Sequence, residues 1–273
     1  MSSYGKDQGM GPSTQRKEAG FDAVMKMALS VSKGLPHDIF WYLDCNSGSG
    51  LNETCEGSPL VFLRRALALS RWHIRAEFCD SNSEAILQLR SNVQRIQPWL
   101  DDWQLRYYIC DNSDFLPRVA EKIRQTERNP EYAFGLLLSD ANSQSQGYPR
   151  FALRDFATEF RRIDLLIHFN ISMQAMVDGA KKSGQTGFKQ WLTPRELMAE
   201  LPRPYWWVRN PSAGGAGIQR FITLYGHSWD RGHKGRFADF YSTDSPAGEK
   251  ILNCYTGFKD GENLLPGFGG GNT

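Results

Sequence analysis

Residues 39–50 read IFWYLDCNSGSG, an apolar run that ends in an acid and then breaks into small residues and two glycines. Such a run, followed by Gly48 and Gly50, is typical of a buried parallel strand that turns abruptly into a helix. Because glycine has no side chain, the backbone of that turn can approach a ligand closely. The stretch therefore predicts a loop that binds a nucleotide-like cofactor, with a glycine-rich turn in an ordinary α/β protein as the alternative.

The spacing of the glycines narrows the kind of cofactor. A loop that binds a dinucleotide has the pattern G-x-G-x-x-G, in which the third glycine lets the helix pack closely on the strand. In this chain the pattern begins at Gly48 and Gly50, but Glu53 stands where the third glycine belongs. A nicotinamide-dependent oxidoreductase is therefore disfavoured.

Segments typical of strands and of helices alternate along the chain. Strand-like apolar segments and segments with helical spacing follow one another five times, and the predicted strands are residues 39–44, 73–80, 105–111, 134–140 and 163–170. Parallel neighbours need crossover helices, and strands this apolar are buried on both faces. The sequence predicts an α/β fold, a Rossmann-like open and mostly parallel seven-stranded sheet with helices on both faces. Residues 205–208 and 220–225 are predicted to close the sheet as a C-terminal antiparallel hairpin.

An acid or an amide lies at the carboxyl end of each of these strands, where open α/β sheets bind their ligands. The set of strand-end residues is Asp44, Asp80, Asp111, Asp140 and Asn170. Asp80 can accept hydrogen bonds from the ribose hydroxyls of a cofactor. Asp111 and the adjacent Asn112 can accept a hydrogen bond from the adenine amine. One aspartate at a strand end is usually a turn former or a helix cap, but four in consecutive strands indicate a site.

Together these features resemble the class I S-adenosylmethionine-dependent methyltransferases, in which an acid lies four residues before a G-x-G. The resemblance covers roughly residues 39–172 and extends to about residue 226 with the closing hairpin. It implies S-adenosylmethionine as the cofactor. The binding residues that it implies are Asp44, Gly48 and Gly50 for the methionine end, Asp80 for the ribose, and Asp111 with Asn112 for the adenine.

Within that superfamily the chain most resembles the three-Cys-motif partner family of bacterial and mobile-element proteins. The resemblance lies in YLDCNSGSG at 42–50, EGSPL at 56–60 and LLLSDAN at 136–142, and EGSPL is the most distinctive of the three. In EGSPL, Ser58 is predicted to cap the next helix, with Pro59 in its first turn. The activity of that family is inferred from its fold, so the resemblance implies little about the substrate.

The acceptor side of the site is predicted at the end of the fourth strand, with Asp140 and Asn142 as the catalytic candidates. Enzymes that methylate exocyclic base amines have an acid or Asn there, followed by Pro-Pro and an aromatic residue, whereas residues 140–143 read DANS. Asp140 can accept from an amine, but the prolines and the stacking ring are missing unless Tyr148 supplies an aromatic group. Since no cysteine follows this strand before Cys254, methylation through a cysteine nucleophile is excluded.

The ends of the chain differ in composition from its centre. Residues 1–18 are polar and predicted to be a disordered tail, and residues 257–273 are predicted to be a glycine-rich tail. Between them, residues 19–256 are predicted to form one methyltransferase-like domain, with a flexible basic insertion near 178–192.

The charge balance limits how the chain could meet a nucleic acid. Thirty-two Lys and Arg against 30 Asp and Glu leave a formal charge of +2, so there is no global basic field. Any nucleic-acid contact would be local, and a solvated loop is the alternative for each candidate segment. The candidates are Lys181, Lys182, Arg231, Lys234 and Arg236. A protein is the other candidate partner.

Cysteine content and hydropathy indicate the compartment. Five cysteines with no C-x-x-C pair suit buried free thiols in a reducing compartment better than disulfides or a zinc site. The histidines and cysteines form no metal-ligand pattern, so no metal is predicted. The first residues lack the apolar core of a signal peptide, and no apolar run is long enough to cross a membrane. These features predict a cytoplasmic protein that does not enter the membrane.

Two functions from different classes remain. The leading hypothesis is an S-adenosylmethionine-dependent methyltransferase with nucleic acid as a candidate acceptor. The rival is a catalytically degenerate methyltransferase fold that serves as a partner or DNA-binding module in a mobile-element or defence system. Ala141 and Ser143 favour the rival, because they stand where a proline and an aromatic residue are usual. So do residues 45–47, Cys-Asn-Ser, which replace the small apolar residues that are usual in the loop.

Overall fold

The structure is a computed structural model, and it describes residues 12–32, 39–51, 55–69, 73–96, 98, 100, 104–140, 149–170, 200–201, 205–209, 218–222 and 237–243. The helices are α1 (Pro12–Ser32), α2 (Ser58–Ala68), α3 (Ser83–Ile96), α4 (Asn112–Thr126) and α5 (Arg150–Glu159), with a short 3-10 helix at Pro130–Tyr132. The strands are β1 (Phe40–Asp44), β2 (Ile74–Asp80), β3 (Leu105–Ile109), β4 (Phe134–Asp140), β5 (Arg162–Asn170), β6 (Tyr205–Arg209), β7 (Ile218–Ile222) and β8 (Phe237–Thr243).

The strands form a single sheet in the order β3-β2-β1-β4-β5-β8-β6-β7. Strands β1 to β5 are parallel to one another, whereas β8 is antiparallel to β5, and β6 is antiparallel to both β8 and β7. From β1 the chain first builds outward to β2 and β3, and it then returns to add β4 and β5 on the other side. Open α/β sheets bind ligands in the crevice at such a reversal, which in this strand order lies at the carboxyl ends of β1 and β4.

Strand β1 is apolar throughout because both faces of the sheet are covered by helices. Phe40 and Tyr42 point into a core that includes Phe21 of α1, Phe62 of α2 and Leu89 of α3. The alternate residues of β1, such as Trp41 and Leu43, point into a second core that includes residues of α4 and α5. Successive side chains of a strand face opposite sides, so a strand buried on both faces loses the polar alternation of a surface strand. The predicted α/β fold with helices on both faces of a parallel sheet is confirmed.

The strand count differs from the prediction. The described residues form eight strands, not seven, because β8 lies between β5 and β6. Its sequence, FADFYST, mixes aromatic, acidic and hydroxyl residues, so no continuous apolar run marks it as a strand. Its place is set by pairing with β5, where Ile167 lies opposite Phe240. Strands β6 and β7 lie at or near the positions predicted for the hairpin and pair with each other, but β8 separates them from β5.

The ends of the described chain differ from the predicted boundaries in one respect. Helix α1 begins at Pro12, inside the segment 1–18 that was predicted to be a tail, and its Phe21 and Met25 are buried in the core. The stretches 178–192 and 257–273 lie outside the described residues. Among the helices of the described chain, none is both long and apolar enough to cross a membrane.

Candidate functional site

The loop that leaves β1 contains two glycines with left-handed backbones. The φ angles are 58° at Gly48 and 73° at Gly50, a region that residues with a Cβ rarely adopt. A Cβ on Gly48 would meet no atom within 4 Å, whereas a Cβ on Gly50 would lie 2.4 Å from Leu89 Cδ1 and 3.3 Å from Leu60 Cγ. Gly50 is therefore packed tightly against α2 and α3, while Gly48 borders open space.

The end of β2 holds this loop in place. The Gly48 amide donates to Asp80 Oδ2 at 3.1 Å, and the Asn82 amide donates to Asp80 Oδ1 at 2.8 Å. One residue earlier, the carbonyl of Cys79 accepts from both the amide and the hydroxyl of Ser47. Asp80 is only 8% exposed, so these contacts are shielded from bulk water. The structure thus brings together two residues, Gly48 and Asp80, that the sequence placed at one site.

Asp44 is fully buried at the end of β1, and three groups donate to its carboxylate. The Tyr42 hydroxyl at 2.9 Å and the Ser58 hydroxyl at 2.6 Å donate to Oδ2, and the Asn46 amide at 3.1 Å donates to Oδ1. Burial raises the pKa of Asp44 to about 6, the three donors oppose that rise, and the nearby Asp140 carboxylate adds to it. Asp44 therefore anchors the start of both the loop and α2.

The role predicted for Ser58 is wrong. Gly57 occupies the N-cap position of α2 and makes no side-chain cap hydrogen bond, while Ser58 is the first helical residue. The Ser58 hydroxyl donates to Asp44 because the first turn of α2 lies against the end of β1. The serine thus joins the helix to the strand instead of satisfying the free amides at the start of the helix.

Asp111 and Asn112 begin α4, which follows β3. Asp111 is the N-cap: its Oδ1 accepts from the amide of Ser113 at 3.0 Å and from the Ser113 hydroxyl at 2.8 Å. Asn112 is 5% exposed, and its Nδ2 donates to Asn46 Oδ1 at 3.4 Å. This contact joins the loop after β1 to the loop after β3. Sequence reasoning missed it, although Asn46 stood out as irregular in its loop.

Asp140 ends β4 and lies on the same edge as Asp44 and Asp80. It is 7% exposed, and in the register of the sheet it lies opposite His168 of β5. His168 is itself 1% exposed, and the ring of Phe21 from α1 meets its ring edge-on at 6.1 Å between centroids. The helix α1 therefore covers this side of the edge. Asn142, the other catalytic candidate, lies outside the described residues.

Three thiols lie beneath the same edge. Cys45 and Cys79 are buried, and Cys79 Sγ lies 3.8 Å from Cys110 Sγ and donates to the Cys110 carbonyl. Burial raises the pKa of all three thiols, so they remain protonated at neutral pH. Within the described part of the chain, no group of His, Cys, Asp and Glu side chains has the arrangement of a metal site. We therefore assign the thiols a packing role.

The basic residues predicted to contact nucleic acid are not part of the described site. Lys181, Lys182, Arg231, Lys234 and Arg236 all lie outside the described residues. The residues that the structure does bring to the carboxyl edge are the loop from Asp44 to Gly50, Asp80, Asn112 and Asp140. Fold and loop together define a Rossmann-like α/β protein with a glycine loop at the carboxyl edge of its sheet, the edge at which open α/β sheets bind ligands.

No protein-family model matches this chain, and no curated protein matches it. Among solved structures, the chain is similar to the protein LPL1258 from Legionella pneumophila, with 10% identity, 85% of this chain and 88% of that chain covered, and a TM-score of 0.46. It is also similar to magnesium protoporphyrin IX methyltransferase (ChlM) from Synechocystis PCC 6803, with 10% identity, 88% and 90% covered, and a TM-score of 0.42.

A third similar structure is the bifunctional kinase-methyltransferase WbdD, with 13% identity and a TM-score of 0.44. The match covers 82% of this chain but only 39% of WbdD, so this chain spans about two fifths of the WbdD chain. Methyltransferases are thus among the solved structures that the chain resembles.

Proposed function

We propose that this chain is an S-adenosylmethionine-dependent methyltransferase with nucleic acid as its acceptor. The observation that carries the proposal is the backbone conformation of Gly48 together with the open space beside it. Its backbone is left-handed, its amide is held by Asp80, and there is open space where a side chain would stand. A cofactor can therefore pass directly against the backbone at the crevice between β1 and β4.

The donor and acceptor chemistry of Asp80 and Asn112 fits this cofactor. A carboxylate has about four lone-pair positions, and the described contacts of Asp80 use two of them, so it retains capacity for ribose hydroxyls. Asn112 carries both a donor and an acceptor beside the loop, which suits the adenine ring. Bound S-adenosylmethionine would supply a methyl group on a sulfonium, and the protein need only hold the acceptor in line with it.

The roles proposed for the remaining acids differ from those of Asp80. Three internal donors already occupy the buried Asp44 carboxylate, so Asp44 would position the loop and not contact the cofactor directly. Asp140 ends the strand beside β1, and we assign it to the acceptor, where its carboxylate could accept a hydrogen bond from an amine. Asn142 is assigned to the acceptor with it.

The experiment that tests the proposal has two stages. In the first, purified protein is titrated calorimetrically with S-adenosylhomocysteine, and we expect saturable binding at one site. In the second, transfer of tritium from labelled S-adenosylmethionine to DNA and RNA is measured for the wild type and for Asp140→Ala, which should lose the signal. Absence of any binding heat would overturn the cofactor assignment, and binding without transfer would overturn the enzyme assignment alone.

One observation favours the rival, a degenerate methyltransferase fold that acts as a partner or DNA-binding module. The side chains of Asn46 and Asn112 meet between the loop that contains Gly48 and the start of α4. The resemblance of the chain to the three-Cys-motif partner family favours the same function. If the contact blocks the crevice, the wild type will bind no S-adenosylhomocysteine and Asn46→Ala will gain binding. If the enzyme proposal holds, both proteins will bind it, because a contact of 3.4 Å is weak and easily displaced.

A further inference from the structure

An exposed aromatic ring lies near two guanidinium groups at the start of α5. Phe151 is 63% exposed, and its ring centroid lies 5.6 Å from Arg150 Cζ and 5.3 Å from Arg154 Cζ. We refer to Phe151, Arg150 and Arg154 as the Phe151 patch. A large exposed aromatic side chain costs free energy in water, so an exposed ring near two cations is a candidate contact surface.

The patch lies at the ligand-binding edge of the sheet. Helix α5 connects the parallel strands β4 and β5, so its first turn lies beyond the carboxyl end of β4, which is Asp140. Leu153, Phe156 and Ala157 of α5 are buried in the core. They turn the opposite side of the helix, and Phe151 with it, toward solvent.

The two arginines keep donors for a ligand. Arg150 uses Nε and Nη2 to bind the Glu200 carboxylate, and Arg154 uses the same two atoms to bind Asp155 Oδ1. The Nη1 group of each arginine takes part in neither contact. Since a guanidinium has five N–H donors, the patch presents a largely exposed ring and two Nη1 groups near it.

We propose that the Phe151 patch binds single-stranded nucleic acid, with a base stacked on Phe151 and the flanking phosphates held by the two Nη1 groups. This inference rests on the proposed function and names a surface for its acceptor. Glu200 and Asp155 balance the charges of the two arginines, so attraction by charge is weak for an acidic peptide and for phosphates alike. The Nη1 groups therefore add only hydrogen bonds to the phosphates, and the exposed ring, on which a base can stack, favours a nucleic acid. Stacking does not depend on net charge and tolerates any base, so it provides most of the binding free energy.

The chain offers a matched control for this patch. Tyr132 is 53% exposed, and Arg162 Cζ lies 4.6 Å from its ring centroid. Tyr132 precedes β4 and Arg162 begins β5, so this pair lies at the amino edge of the sheet, away from the proposed site. Loss of either exposed ring should leave the fold intact, and circular dichroism can verify this.

The test measures fluorescence anisotropy of labelled single-stranded DNA and RNA with the wild type, Phe151→Ala, Phe151→Trp and Tyr132→Ala. Loss of one stacked base should raise the Kd of Phe151→Ala by about tenfold or more, with Phe151→Trp and Tyr132→Ala close to the wild type. The DNA and RNA arms identify which nucleic acid is bound. No binding by the wild type, or equal losses in Phe151→Ala and Tyr132→Ala, would overturn the inference.

The cofactor experiment keeps this inference separate from the proposed function. Phe151 makes no described contact with Asp80 or Gly48, so Phe151→Ala should bind S-adenosylhomocysteine like the wild type. Cofactor binding without any nucleic-acid binding would leave the cofactor site standing and remove the patch. Nucleic-acid binding that needs Phe151, in a protein that binds no cofactor, would keep the patch and support the module function.

Discussion

Strands β1 and β2 each end in an aspartate, and an aspartate also follows β3. The surroundings of these aspartates differ. Asp44 and Asp80 are buried and accept hydrogen bonds from the backbone of the glycine loop. Asp111 instead caps the helix that follows it, where its Oδ1 accepts from the amide and the hydroxyl of Ser113. An aspartate at a strand end can therefore hold a loop in place or cap its own helix, and its hydrogen-bond donors distinguish these two roles.

The largest effect is expected for Asp44→Ala. The substitution leaves the Tyr42 hydroxyl, the Ser58 hydroxyl and the Asn46 amide without their acceptor. Three donors left without an acceptor at this buried position should lower the free energy of unfolding by about 3–5 kcal/mol, measured by urea denaturation. Asp44→Asn keeps one carbonyl oxygen and should lose about half as much. A loss below about 1 kcal/mol for Asp44→Ala would remove the difference between the two regions.

The second effect is the contribution of Asp44 to the pH dependence of the free energy of unfolding. Its pKa is raised from 3.8 to about 6 in the folded protein, so the folded state binds the proton more tightly than the unfolded state. The stabilisation is complete below 3.8 and is lost as pH rises through about 6. The difference in unfolding free energy between the wild type and Asp44→Asn should fall by roughly 3 kcal/mol across that window. A difference in unfolding free energy that does not change with pH would contradict the raised pKa of the buried Asp44 carboxylate.

The two glycines of the loop should respond differently to alanine. Gly50→Ala places a Cβ 2.4 Å from Leu89 Cδ1 in a left-handed backbone, so it should cost about 2–4 kcal/mol through strain and overpacking. Gly48→Ala meets only the backbone strain and should cost about 1 kcal/mol. Thermal unfolding of both variants checks the order, and equal losses would mean that the loop is not packed as described.

The smallest effect is expected at β3. Asp111→Ala removes an N-cap from α4 and should lower the free energy of unfolding by about 1 kcal/mol, as caps usually do. Asp111→Asn, which retains a capping side chain, should remain close to the wild type. A loss for Asp111→Ala as large as that for Asp44→Ala would show that β3 ends in a site of the same kind.

The sequence predicted the parallel part of the fold because burial on both faces leaves a strong pattern. Strand β4 was predicted with the bounds that it has, residues 134–140. Strand β8 was missed because pairing with β5, and not an apolar run, places it. At the site, the meeting of Gly48 and Asp80 followed from the order of the strands. The contact between Asn46 and Asn112, which are 66 residues apart, depends on side-chain packing that no local pattern encodes.

The most direct test of the central claim compares the affinity for S-adenosylhomocysteine of the wild type, Asp80→Ala and Glu84→Ala by calorimetry. Glu84 lies close by in the first turn of α3 and serves as the control for loss of a carboxylate. We predict that Asp80→Ala loses about tenfold or more in affinity, because a charged acceptor for the ribose is gone, while Glu84→Ala binds like the wild type. Tight binding that survives Asp80→Ala would contradict the account.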